Sequence, residues 1–261
     1  VNDRVVKFKG LFVAGSQWAA RTLFPPVCGG CRRLVDAPGT LCAACWPTLR
    51  FIERPFCEIL GTPFLYDIGD GVVSADALAS PPPFSRARAA VSYCGVTRQM
   101  VQNFKFGDRT EMAPWMARWM MRAGGDLIHD ADLIVPVPLH RRRFFLRRFN
   151  QSAELARALS HLCGKPFEPD AVQRIRFTRS QVGLGARERA DNVRGAFRVP
   201  ESRRSLLHGR RVLLIDDVYT TGTTVSAVTK VILAAGAQGV DVLTFARVLP
   251  GDFLSDDPET I

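Results

Sequence analysis

The stretch "VLLIDDVYTTGTTV", residues 212–225, decides how the rest of the chain is read. Val212, Leu213, Leu214 and Ile215 make an apolar run of the length that suits a buried strand. Asp216 and Asp217 follow, and the loop "YTTGT" then turns into the helical pattern "TTVSAVTKVILAAG" (223–236). A loop at a helix N-terminus presents unpaired backbone N–H groups and the positive end of the helix dipole, which suits a phosphate. Thr220, Thr221, Thr223 and Thr224 add hydroxyl donors, and Gly222 lets the backbone come close to an anion. The carboxylates would repel that anion. Their natural partners are hydroxyls, which they are expected to meet directly, or a bound magnesium. A ribose 5-phosphate satisfies both halves at once; an acidic turn after a core strand is the plain alternative.

Outward from this stretch the chain alternates. "AAVSYC" (89–94) reads as a strand, "RQMVQNFKF" and "EMAPWMARWMMRAG" as helices, "DLIVPVP" (132–138) as a buried strand, and "NQSAELARALSHLCG" as a helix closed by Gly164. "RRVLLID", the helix ending at Gly236 and the strand "GVDVLTFARV" complete the pattern. Apolar strands alternating with helices imply an α/β fold with a parallel sheet covered on both faces. Ligands sit beyond the carboxyl ends of such strands, so the places to look are Val137 onward and Asp216 onward. The Met and Trp residues of 112–121 read as core. No internal repeat or low-complexity tract is legible.

At the first of those strand ends the sequence is "VPVPLHRRRFFLRRFNQS". Arg141, Arg142, Arg143, Arg147 and Arg148 put five guanidiniums within eight positions, and guanidinium clamps phosphate oxygens in pairs. A solvated basic run is the other reading of each arginine. The interleaved Phe144, Phe145 and Phe149 also permit single-stranded nucleic acid binding, with bases stacked on rings beside a basic track.

The proline-rich "ASPPPF" (79–84) separates this alternation from a loop-rich segment before it. That segment holds "CGGC" (Cys28, Cys31) and "CAAC" (Cys42, Cys45), two pairs with ten residues between them. Each CxxC turn aims two thiolates at one point, and two turns complete the tetrahedron that zinc accepts. Four thiolates leave no open coordination position, so the site is expected to be structural. Arg32 and Arg33 would offset part of its negative charge. Disulfides or a redox pair are the alternatives; a reducing cytoplasm disfavours the first and the doubled motif the second. Cys57, Cys94 and Cys163 are scattered and read as small buried hydrophobes.

The chain has 261 residues, 47% of them hydrophobic, and carries 35 basic against 25 acidic side chains. Disorder is excluded as the default, and the net charge of +10 favours phosphate-bearing partners. No apolar run reaches the ~18 residues of a membrane span. Lys7 and Lys9 interrupt "VVKFKGLFVAGSQWAA", so no membrane insertion and no secretory signal are expected, and a cytoplasmic protein is the simplest account. Val5, Val6, Phe8, Phe12, Val13 and Trp18 fall on one face of an amphipathic helix, expected to pack on the chain's own body.

The 212–225 stretch resembles the phosphoribosyl pyrophosphate (PRPP) signature of type I phosphoribosyltransferases. With the two CxxC pairs, "VPVPLHRRR…RRFNQSAELA", "RADNVRGAF" and "LLIDDVYTTGTTV" in this order, the chain resembles the ComF family of competence-associated proteins over nearly its whole length. The resemblance implies an N-terminal helix and zinc-ribbon segment (1–84), a phosphoribosyltransferase domain (85–250) and a C-terminal tail (251–261). It also implies a cytoplasmic location and a role with incoming single-stranded DNA beside a helicase-like partner. Carried over, Asp216 and Asp217 hold the ribose hydroxyls, and Val218, Thr220, Thr221, Gly222, Thr223 and Thr224 hold the 5-phosphate. Pro138, Arg141, Arg142 and Arg143 belong to the pyrophosphate loop, and magnesium accompanies the pyrophosphate. The segment 177–197 corresponds to a loop that closes over the site, with Arg187 and Arg189 as candidate catalytic contacts beside Asp216 and Asp217; a solvated loop is the alternative.

One departure stands out. Many relatives have a second set of four cysteines, where this chain keeps Cys57 but has Leu60, Ser74 and Ala77. One thiol cannot hold zinc, so a single zinc per chain is expected. Two functions remain open: transfer of a phosphoribosyl group to a nitrogen acceptor, and a non-catalytic role in binding single-stranded DNA or a helicase while retaining the pocket. A PRPP-sensing regulator is a third. No motif identifies the acceptor.

Overall fold

The computed structural model describes residues 25–67, 69–106, 109–139, 149–176 and 193–250. The amphipathic N-terminal pattern and the C-terminal tail lie outside the described residues. Four strands form one parallel sheet: β1 (Arg86–Ser92), β2 (Leu133–Pro136), β5 (Arg211–Tyr219) and β6 (Gly239–Arg247), in the order β1-β6-β5-β2. Phe167 bridges in parallel to Ile134 and begins a further row outside β2. The short β3 (Gln173–Arg174) and β4 (Phe197–Arg198) pair antiparallel apart from the sheet.

The helices are α1 (Ala75–Ala79), α2 (Gly95–Phe106), α3 (Ala113–Ala123), α4 (Gly125–Asp130), α5 (Gln151–Cys163), α6 (Arg204–Leu207) and α7 (Thr223–Ala234). Successive side chains of a strand point to opposite faces, and β5 shows the consequence. Leu213 and Ile215 pack with Met100, Phe104, Met116 and Leu155 of α2, α3 and α5, while Val212 and Leu214 pack with Val228 and Ile232 of α7. All nine residues of β6 are buried, as a central parallel strand covered on both faces requires. Met112, Met116 and Met120 are fully buried and Trp115 nearly so, which places the Met/Trp pattern in the core.

At the amino edge of the sheet the fully buried Asp241 accepts from Arg86 at 3.2 and 2.8 Å and from Arg211 at 3.2 Å. This ties β1, β6 and β5 together at the end away from the loops of interest.

Strand boundaries differ from the sequence reading: β1 spans Arg86–Ser92 rather than 89–94. β5 does not stop at the acidic pair but runs through it to Tyr219, because Asp216 and Val218 keep register with Thr244 and Ala246 of the equally long β6. A structural repeat also emerges, at the place where the resemblance put a second, incomplete cysteine set. At 28–33, Cys28 N–H donates to Arg33 O at 2.7 Å, Arg32 N–H donates to Cys28 O, and Arg32 has φ 64°. At 57–62, Cys57 N–H donates to Thr62 O at 2.8 Å, Gly61 N–H donates to Cys57 O, and Gly61 has φ 66°. Bridges Val27↔Leu34 and Phe56↔Pro63 flank the two turns alike. Pro26 and Cys28 of the first turn recur as Pro55 and Cys57 in the second, while the other three cysteines do not.

Candidate phosphoribosyl site and metal centre

The two carboxyl edges named from the sequence are neighbours, because β2 and β5 pair in parallel with Pro136 opposite Ile215. Val137 N–H extends that ladder to Ile215 O at 2.8 Å, and Pro138 is buried just beyond. Asn150 caps α5, accepting from Ser152 N–H at 3.2 Å and donating from Nδ2 to Val137 O at 3.1 Å. Both flanks of the segment 140–148 are thereby fastened at the edge where the acidic pair stands. Arg141, Arg142, Arg143, Arg147, Arg148, Phe144 and Phe145 themselves lie outside the described residues, as do Arg187 and Arg189. The base of the segment holding the latter two is the β3–β4 ladder, which packs on α7.

The loop after β5 carries the expected features. Gly222 sits in the left-handed region at φ 73° and is the N-cap of α7, with no side chain capping the helix. Its lack of a side chain has a second cause besides the φ value: a Cβ there would lie 2.3 Å from Tyr219 Oη. Thr221 and Thr223 share a hydrogen bond at 2.8 Å between their hydroxyls, and Thr220 and Thr221 are exposed. Beneath the loop, Tyr219 packs edge-on to Phe84 and lies under the Arg247 guanidinium at 4.1 Å.

The acidic pair is not bare: both carboxylates hold partners within the protein. Asp216 Oδ1 accepts from Ser152 Oγ at 2.8 Å and from Asp217 N–H at 2.9 Å. Asp217 Oδ1 accepts from Val218 N–H at 2.9 Å, and its Oδ2 pairs with Lys105 Nζ at 2.7 Å. Asp217 Oδ2 is buried against the Lys105 ammonium, which occupies it. Asp216 Oδ2 has no hydrogen bond among the described residues. Burial, then the neighbouring Asp217 charge, push the Asp216 carboxyl up to about 7, against the opposing pull of Ser152, a backbone N–H and Lys105. Burial pulls the Lys105 ammonium down, but Asp217 outweighs it and the net direction is up. Lys105 and Ser152 were missed by the sequence reading. Lys105 sits in a helix 111 positions before Asp216, and nothing local to "NFKF" marks it.

A directly bound magnesium does not fit the pair, since Lys105 already places a positive charge on Asp217. A metal entering with a ligand's pyrophosphate is compatible with it.

The four cysteines do converge: the sulfurs of Cys28, Cys31, Cys42 and Cys45 all lie within 4.8 Å of one another, and Cys31 and Cys42 are 3.6 Å apart. Four sulfurs at ~2.3 Å from one ion would be ~3.8 Å apart, so the cluster fits zinc. The N–H groups of the turns favour thiolate. Hydrogen bonds, led by the backbone at Cys45, bring Cys42 down to about 6; burial pushes the Cys28 thiol up, but N–H donors outweigh it and lower it; burial takes Cys45 up to about 12. In the second turn Cys57 Sγ instead accepts from Leu60 N–H at 3.4 Å, Ser74 N–H at 3.2 Å and Ser74 Oγ at 3.3 Å. Positions 60 and 74 thus do surround Cys57. Hydrogen bonds take the place of metal, and they lower its thiol against the upward push of burial.

Comparison with known proteins agrees with this architecture. Residues 19–78 match the double zinc ribbon domain and residues 152–259 the phosphoribosyl transferase domain. The chain is 30% identical over 234 residues to the DNA utilization protein YhgH of Escherichia coli (strain K12), covering 86% of this chain and 98% of that protein. It is 29% identical over 226 residues to competence protein F of Haemophilus influenzae, covering 84% and 96% respectively. A solved structure described as the allosteric regulatory enzyme of purine biosynthesis superposes with a TM-score of 0.37 at 20% identity, over 55% of this chain and 29% of that one. The chain belongs to the ComF family of YhgH and competence protein F, a zinc ribbon joined to a type I phosphoribosyltransferase fold.

Proposed function

We propose that this chain binds PRPP at the carboxyl edge of β5 and β2 and transfers its phosphoribosyl group to a nitrogen acceptor. The observation that carries the reading is the convergence of an acidic pair whose Asp216 Oδ2 has no hydrogen bond among the described residues, an uncapped α7 N-terminus behind a threonine loop, and the fastened flanks of 140–148. Asp216 and Asp217 would orient the ribose through its hydroxyls. The loop Thr220, Thr221, Gly222, Thr223 and Thr224 would take the 5-phosphate, while Arg141, Arg142, Arg143, Arg187 and Arg189 would hold the leaving pyrophosphate. No side chain acts as nucleophile; the barrier falls because charge on the leaving group is held and the reacting centres are oriented. Magnesium, entering on the pyrophosphate oxygens, would add to that charge stabilisation. The four-cysteine cluster would hold one structural zinc. A cytoplasmic location, with its reducing conditions, would suit a thiolate metal site.

Calorimetric titration with PRPP and magnesium tests binding, and pyrophosphate release with a panel of bases and amines tests transfer. Asp217→Asn is expected to weaken PRPP binding about 10–100-fold, the loss of one charge-assisted contact. No heat with the wild-type protein would sink the reading.

The names of the relatives favour a second reading, in which the chain serves DNA utilization or uptake by binding single strands or a helicase-like partner. Under it, affinity for single strands falls steeply with salt and survives Asp216→Asn.

A further inference from the structure

Helix α2 joins the metal centre to the acidic pair. At its ribbon side Asn103 is clasped by the first zinc turn: Nδ2 donates to Gly29 O at 3.0 Å and to Gly30 O at 2.8 Å, while Oδ1 accepts from Arg32 Nε at 3.1 Å and Nη2 at 2.8 Å. All the hydrogen-bonding capacity of its amide oxygen and nitrogen is thus spent on residues between and beside Cys28 and Cys31. The fit is close all along this contact, since a Cβ on Gly30 would lie 2.3 Å from Val96 Cγ2 of the same helix. Two residues on, about 3 Å along the axis, Lys105 meets Asp217 at 2.7 Å. Between them Phe104 is fully buried and packs on Phe149, and Gln151 Nε2 donates to Lys105 O at 3.4 Å. The lysine is therefore aimed by a held backbone, and the holding is done by the ribbon, the core and the start of α5.

We propose that Lys105 is a positioning residue for the acidic pair, and that the zinc ribbon fixes it there through Asn103, so that metal at the ribbon governs phosphoribosyl affinity at the sheet edge. Half of this rests on the phosphoribosyl reading above; the link from ribbon to lysine does not. The mechanism is electrostatic. Two adjacent carboxylates, Asp217 buried and Asp216 half-buried, repel each other, and a charged carboxylate accepts from a hydroxyl more strongly than the neutral acid does. Lys105 supplies the compensating charge from protein, on Asp217 Oδ2, and leaves Asp216 Oδ2 to the ligand. The titratable groups facing it are Asp217, Asp216 and Tyr93. A zinc turn without metal loses the tie between its two CxxC halves, and with it the carbonyls of Gly29 and Gly30 that hold Asn103.

The experiment compares zinc-loaded wild-type protein, zinc-stripped protein, Asn103→Ala, Lys105→Met and Lys105→Arg. The first readout needs no ligand: carboxyl carbon NMR of Asp216 against pH. Its midpoint is expected to rise in Lys105→Met and also in Asn103→Ala and on zinc removal, and to stay near wild type in Lys105→Arg. The second is PRPP affinity with magnesium across pH. Lys105→Met should bind about 10–100-fold more weakly, with its acid limb displaced to higher pH, whereas damage to packing alone would weaken binding evenly across pH. Lys105→Arg should recover most of the affinity. The inference is overturned if Asp216 titrates alike in all five samples, or if Lys105→Met binds PRPP as wild type does. Absence of PRPP binding by wild type would instead remove the phosphoribosyl reading, and the carboxyl titration would still decide whether ribbon and lysine are coupled.

Discussion

Gly222→Ala offers the sharpest test of the phosphate loop. Gly222 has φ 73°, a conformation costing a residue with a Cβ roughly 1–2 kcal/mol. The added methyl would lie 2.3 Å from Tyr219 Oη and 2.7 Å from Cζ. The ring cannot retreat: Tyr219 is 7% exposed, Phe84 closes one side, and the Arg247 guanidinium stacked on it is itself bound to Leu60 O. The loop must move instead, and overpacking of this kind costs about 1–3 kcal/mol. Together the two effects predict a destabilisation of about 2–5 kcal/mol, or a melting temperature lower by about 4–20 °C for a domain of this size. Thermal melts followed by circular dichroism measure it. Adding Tyr219→Phe removes the nearest atom, so the double variant should recover about 1 kcal/mol. PRPP affinity should fall in the single variant, since the α7 N–H groups shift with the loop. A melting point within about 2 °C of wild type would show that Tyr219 does not buttress the loop as described.

Asp241→Ala leaves Arg86 and Arg211 without their buried partner and should cost about 3–5 kcal/mol in denaturant unfolding; a loss under about 1 kcal/mol would mean that water replaces the carboxylate. Asp216, held at about 7 in the native state, keeps its proton longer than an unfolded aspartate at ~3.9. Between those values the native state binds more protons, so this group's contribution is fully present below about pH 4 and is lost as pH rises through about 7. Urea midpoints of wild type minus Asp216→Asn should therefore decline over that window, and parallel profiles would contradict it. Metal analysis should give one zinc per chain, with two overturning the hydrogen-bonded account of Cys57. Cys57→Ala should leave that count unchanged while costing about 1–3 kcal/mol, because Leu60 and Ser74 lose their acceptor.

The sequence by itself determined the elements whose signals are local. The apolar runs at 133–136 and 212–215 had to be covered strands, the CxxC pairs had to converge, and Gly164 had to end its helix, where it stands at φ 73°. Each follows from the chemistry of residues a few positions apart. What only the tertiary structure decided is what long-range packing brings together. The extension of β5 through Asp216 and Asp217 depends on the length of its neighbour β6. The repeat of the zinc turn at Cys57 is carried by backbone geometry, which Thr62 and Gly61 satisfy as well as Arg33 and Arg32 do. Lys105 and Ser152 reach the acidic pair from two helices far off in sequence, as no periodicity or spacing could indicate. A carboxylate's charge is decided by whatever surrounds it in three dimensions, so the motif could announce the acids but not the lysine that steadies them.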